Sequence, residues 1–169
     1  MTDDTVIVLE ITRLEAAHLT GLLDQFLDLL EDSASDSGAP PADPAVARLV
    51  PDAYADDPDA SREFRQVTER DLLDRRAADA QAVLTSLTVR GKRLDPAKLK
   101  GDVTAVLAVT LDADAVRAWL RTLTALRLVL ASRLEIHTED DHDEADPRFG
   151  IYDWLGYRLD GLVRAVTPD

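Results

Sequence analysis

The sequence predicts a mainly α fold, a helical domain of about five helices with a minor two-stranded β-sheet (residues 5–11 and 103–111), and three observations carry that prediction. Val116, Trp119, Leu120, Leu123, Leu126, Leu130 and Leu134 fall within one arc of roughly 120° on a helix of 3.6 residues per turn. Two short stretches, 5–11 and 103–111, alternate with the period of two that a half-buried strand requires. Half of the eight aromatic residues, Phe149, Tyr152, Trp154 and Tyr157, crowd into the closing run RFGIYDWLGYRLDGLVRAV.

Each element has a local reason. In the first strand Ile7, Leu9 and Ile11 share a face and Glu10 takes the other. Thr12 and Glu15 have capping-box spacing, so a helix runs from there to about Glu31, with Leu14, His18, Leu22, Phe26 and Leu29 expected on its inner side. The segment DSASDSGAPPADP is too rich in Ser, Asp, Gly and Pro to bury apolar area, which predicts a flexible loop over 32–44. Pro44 opens a short helix that Pro51 closes.

Asp57-Pro58 and Thr68 to Asp71 both resemble helix starts, so 58–88 reads as one helix or two. A basic loop follows over 89–101, holding all three Lys. Val103, Ala105, Leu107, Val109 and Leu111 form one face of the second strand, which pairs with the first and needs helices packed on it. Asp112 caps the long amphipathic helix, the acidic loop 137–146 ends it, and Asp146-Pro147 starts the closing helix, expected to be buried centrally because most of its circumference is apolar.

A chain of 169 residues is one ordinary domain, and no linker divides 1–169. The absence of cysteine removes disulfides, thiolate nucleophiles, iron–sulfur clusters and cysteine-ligated zinc. The acidic start lacks the form of a signal peptide, and no apolar run reaches the ~20 residues of a membrane helix, so the expected setting is cytoplasmic with no membrane. A net charge of -14 repels phosphate backbones, and the basic loop has no interleaved aromatics, so no nucleic acid partner is expected.

WLRTLTALRLVLASRL at 119–134 and IYDWLGYRLDGLVRAV at 151–166, preceded by PDAYADDPDASREFRQVTERDL at 51–72, resemble an actinobacterial family known only as a domain of unknown function. The likeness spans most of the chain, and its most specific part is an LRL-type helix followed, after an acidic gap, by YDWLG. That family supplies no catalytic residues; its genes often lie near the Clp protease adaptor and sulfur-metabolism genes, which implies an accessory or interaction role.

Candidate sites are few. Arg127 falls inside the apolar arc of its helix, where a guanidinium needs a partner, and Asp153 is the expected one. Trp154 and Tyr157, with Arg127 and Asp153, form the candidate binding set. The acidic segment offers Asp141, His142 and Asp143 as weak metal ligands, but it fails the calcium-loop pattern, with Asp146-Pro147 where the central Gly should stand. Solvated carboxylates near the start of the closing helix explain it sufficiently, and no cofactor is expected. Trp119, Tyr152 and Trp154 read as core, and His18 as a hydrogen-bonded core residue.

Gly156 and Gly161 within a helix point to close approach by another element or another copy. No Gly-rich phosphate loop, metalloprotease or serine-hydrolase motif is present, so the balance is against an enzyme. The preferred function is a non-catalytic interaction or regulatory protein using an apolar surface near the last two helices, with a protein partner or self-association. The alternative is a metal-dependent or small-molecule-binding enzyme built on the 137–146 segment and Arg127.

Overall fold

The computed structural model describes residues 6–35 and 37–167. Thr5 of the expected first strand, Asp36 of the expected 32–44 loop and the last two residues lie outside them. The described chain is mainly helical: β1 (Ile7–Thr12), α1 (Arg13–Ser33), α2 (Pro44–Leu49), α3 (Pro58–Ser86), β2 (Val106–Leu111), α4 (Ala113–Arg133) and α5 (Gly150–Val166), with short 3-10 turns at Pro96–Lys98, Glu139–Asp141 and Pro147–Phe149.

The two strands pair antiparallel, Ile7 opposite Leu111 and Thr12 opposite Val106. Ile11, Val109 and Leu111 turn into the core while Val8, Glu10, Ala108 and Thr110 face outward, as period-two alternation requires. The second strand is shorter than expected because residues 103–105 leave the ladder. Their carbonyls instead serve the start of α1, with Leu14 N donating to Val103 O and Arg13 N to Ala105 O.

Capping residues set most helix starts. Thr12 and Glu15 form the reciprocal box of α1. Asp43, Asp57 and Asp112 accept from the first turns of α2, α3 and α4, and Pro stands at the first position of α2 and α3. Residues 58–86 are one helix: Thr68 begins nothing, and its hydroxyl donates back to Phe64 O.

The centre of packing is α4, which touches α2, α3 and α5 and carries the nearly inaccessible Trp119, whose Nε1 donates to Ser86 Oγ at 3.0 Å. This corrects the expectation for the closing helix. Within α5 only Leu155 and Leu162 are buried, while Ile151, Tyr157, Val163 and Val166 stay exposed, so it lies at the periphery with one apolar edge inward. Apolar residues all round a helix permit central burial but do not supply a second layer to cover the outer side.

The inner face of α1 is also different. Ala16, Leu19, Leu23, Phe26 and Leu30 are buried; Leu14 and His18 are exposed and Leu22 and Leu29 half-buried. His18 is therefore a surface histidine. Leu occurs on two arcs of α1, and contact with β1 and α3 selects the arc of Leu19 and Leu23.

The stripe of α3 contains polar side chains. Continuing back from Ala80 and Leu73 in helical steps reaches Glu69, Arg65 and Ser61, all buried. Arg65, only 5% exposed, pairs with Asp52 and donates from Nε to Gly38 O at 3.0 Å. This ties the segment after α1 onto α3, and Gln66 Nε2 adds a bond to Ser37 O at 3.3 Å.

Candidate functional site

The first residues of α5 act as a junction, because consecutive side chains on a helix point about 100° apart and so reach different neighbours. Tyr152 meets α4, Asp153 meets the acidic segment and Trp154 meets α1. The expected pair of Arg127 and Asp153 is not formed. Asp153 Oδ1 lies 2.6 Å from His142 Nε2, and the His142 ring packs edgewise on Phe149 with centroids 5.1 Å apart. Asp153 therefore secures the acidic segment to α5.

Arg127 is held by packing. Its Cζ lies 4.2 Å from the Tyr152 ring centroid. Against the same guanidinium lies Gly156, where a Cβ would stand 3.1 Å from Cζ and 3.2 Å from Nη2. Tyr152 and Gly156 are one helical turn apart on α5, so the ring and the missing side chain together make a slot that the guanidinium enters. The Arg127 Nε is buried with no hydrogen-bond partner, and no carboxylate pairs with Arg127 among the described residues. Close approach explains Gly156; at Gly161, by contrast, nothing lies within 4 Å of where a Cβ would stand.

Trp154 Nε1 and Arg158 Nη2 each donate to Glu15 Oε1 at 2.7 Å, and Arg158 Nη1 donates to Glu10 O at 2.8 Å. Burial pushes the Glu15 carboxyl up, but hydrogen bonds from Arg158, the Thr12 backbone, Trp154 and the Thr12 hydroxyl outweigh it and hold the group down at about 2. One carboxylate thus caps α1 and anchors α5. Tyr157, in the candidate binding set, is 72% exposed and flanks a cleft of about 650 Å³ between β1 and α5, lined also by Val8, Glu10, Arg158, Gly161 and Ala165.

The acidic segment uses its carboxylates locally. Asp141 accepts from Thr138 N and His137 N at 2.8 and 2.9 Å, and those bonds lower its pKa, the Thr138 contact most. Asp143 accepts from Ala145 N, and Asp146 accepts from Arg148 N and pairs with its guanidinium. Among the described residues no group of three or more His, Asp or Glu side chains converges as a metal site.

Sequence reasoning missed three constellations. Arg158 with Glu15 was hidden because the partners are far apart in the chain. Asp43 with Arg133, bonded through both carboxylate oxygens at 2.8 and 2.7 Å, was hidden for the same reason. Arg48, which donates to Ile136 O at 3.2 Å and lies 3.0 Å from His137 Nδ1, carried no signal beyond a basic residue in the last turn of α2.

Comparison with known proteins gives a family and relatives. The model of a family described as Domain of unknown function (DUF2017) matches residues 1–166. Proteins named "Oxidative stress regulator AosR" from Mycobacterium bovis and Mycobacterium tuberculosis are each 29% identical over 183 aligned residues, covering 88% of this chain and 77% of the relative. No solved structure matches the chain. Among the described residues, no helix is long and apolar enough to cross a membrane.

Proposed function

Because the chain belongs to the family described as Domain of unknown function (DUF2017), we propose that it is a non-catalytic regulatory protein of the cytoplasm that acts by binding a protein partner or a second copy. The observation that carries this reading is the cleft between β1 and α5. Tyr157 and Val8 stand exposed in its lining, and Val6 is exposed just before the strand. Large apolar residues grouped on a solvent face favour association, which removes them from water.

The mycobacterial relatives, named as regulators, support a regulatory role. If this chain also serves an oxidative-stress response, the oxidant is not sensed by a thiol of its own, since it has no cysteine. The LRL helix and YDWLG are read as the packing signature of the family, the two meeting where Arg127 enters the slot between Tyr152 and Gly156. A place for the gene near the Clp protease adaptor, which the resemblance implies, would fit an accessory protein.

The test is a paired charge insertion, Tyr157→Asp with Val8→Asp, read by light scattering and by affinity recovery from an actinobacterial lysate. The double variant should melt like the parent and lose the oligomer or the recovered partner. A parent that is monomeric and recovers nothing, or a variant that binds as the parent does, would count against the reading.

A further inference from the structure

We propose that the groove between α2, α4 and the segment following α4 binds a small carboxylate, a mono- or dicarboxylate of low charge, with Arg127 as its receptor. The groove has a volume of about 650 Å³, within the range of small-molecule sites. Its chemistry comes from Arg48, Arg127, His137, Glu139, His142 and Tyr152.

Arg127, like Arg48 and Arg76, makes no carboxylate ion pair among the described residues, in a chain that carries 33 acidic residues against 19 basic ones. Arg121 is doubly bonded to Asp79, Arg133 to Asp43, and Arg158 reaches Glu15. Arg127 meets no carboxylate among the described residues, although it is half-buried and one edge of its fork is inaccessible. The acids close in sequence or space are used elsewhere: Asp153 by His142, Asp141 by Thr138 and His137; Glu139 is exposed at the rim and makes no ion pair. Arg48, on the other wall, is fixed by Ile136 O and His137 and also lacks a carboxylate.

A guanidinium packed against a ring and a glycine, with its Nε buried, has already lost much of its rotamer freedom, so a ligand that bonds it bears less of that entropy. The planar fork matches a carboxylate through two parallel bonds. The class is limited by the long-range field: a net charge of -14 opposes highly charged anions, which favours a carboxylate over a polyphosphate. None of the groove residues belongs to the β1–α5 cleft, so the outcome here is independent of the docking reading.

The experiment is a melting and calorimetric titration of the full chain with sodium acetate, succinate and citrate, against sodium chloride at matched ionic strength and against phosphate. At roughly ten times its Kd, a binding carboxylate should raise Tm by about 4 °C, with saturable one-to-one binding. Arg127→Met loses the stack on Tyr152 and should melt somewhat lower than the parent, and it should lose the response. Arg127→Lys should weaken binding by at least about tenfold, because an ammonium cannot form the fork. The proposal is overturned if neither acetate nor succinate exceeds chloride, if phosphate or citrate binds more tightly than both, or if Arg127→Met retains the parent's response. Should Arg127→Met fail to fold, undiminished affinity in Arg127→Lys overturns it equally.

Discussion

Arg127 on α4 packs against Tyr152 on α5 with the guanidinium carbon 4.2 Å from the ring centroid, and Gly156, one turn along α5, leaves the space the same guanidinium fills. Two helices that the sequence makes apolar are thereby brought into one fixed register, because the slot admits a guanidinium at a single height along α5. An apolar side chain at 127 would pack at several heights, whereas a flat cation matched to a ring face does not.

The slot has a direct consequence for glycine substitution. Alanine in place of glycine within a helix gains roughly 0.5–1 kcal/mol when space allows. At Gly161 nothing lies within 4 Å of the new methyl, so Gly161→Ala should stabilise by about that amount. At Gly156 the methyl would stand 3.1 Å from Arg127 Cζ, and the Tyr152 ring behind the guanidinium resists its displacement. Gly156→Ala should therefore fall below the parent by about 1 kcal/mol in urea unfolding. Equal stabilisation by both substitutions would refute the slot.

Acid should destabilise the protein through Glu15. Its carboxyl titrates at about 2 when folded and near the ordinary 4.5 when unfolded, so the folded value is the depressed one. The contribution is fully present above about pH 4.5 and is lost as pH falls toward 2. Glu15→Gln should lower stability at pH 7 by about 2 kcal/mol, through loss of bonds to Arg158 and of the helix cap. Its stability curve between pH 4.5 and 2 should be flatter than the parent's. Parallel curves would show that Glu15 is not the group responsible.

Asp43 joins two jobs in one carboxylate, capping α2 through Ala45 N and gripping Arg133 at the end of α4. The Arg133 bond lowers its pKa, and burial only partly opposes that. Asp43→Ala should cost about 1–2 kcal/mol, most of it the cap. Arg133→Gln should cost less than about 1 kcal/mol, since Arg133 is exposed and the cap survives. Chemical denaturation of the two variants separates the roles, and a larger loss in Arg133→Gln would contradict the assignment.

Gly38 is required by its conformation and its surroundings. It has φ +68°, and a Cβ there would stand 2.7 Å from Arg62 O, while its own carbonyl accepts from Arg65. Gly38→Ala should destabilise by about 2 kcal/mol or more, from backbone strain added to the clash. A melting temperature equal to the parent's would show that 37–39 does not depend on α3.

Much of the architecture was legible because its signals are local. The alternation of 7–11, the capping box at Thr12 and Glu15, the Asp-Pro start at 57–58 and the arc of Trp119 and Leu123 each act within a few residues. The candidate site was legible only in part. Arg127 is conspicuous in an apolar arc, but the partner expected for it was Asp153, which helical projection of α5 sets opposite Leu155, while the surface that receives it is the Tyr152 ring with Gly156. Buried Arg65 and Glu69 went unnoticed because a stripe of polar residues has the same appearance in sequence as a solvated face.

By itself the sequence determined a mainly helical chain with a two-stranded ribbon, the positions of most helix starts, and the exclusion of thiol chemistry. Those follow from periodicity, capping and composition, which are short-range or additive. Only the tertiary structure decided that α4 and not α5 lies at the centre, that Leu19 and Leu23 and not His18 face inward, and that Arg127 is held by a ring while Asp153 holds His142. Where several faces of a helix are apolar, or several acids compete for one cation, local free energies are nearly equal, and the packing of distant segments selects among them.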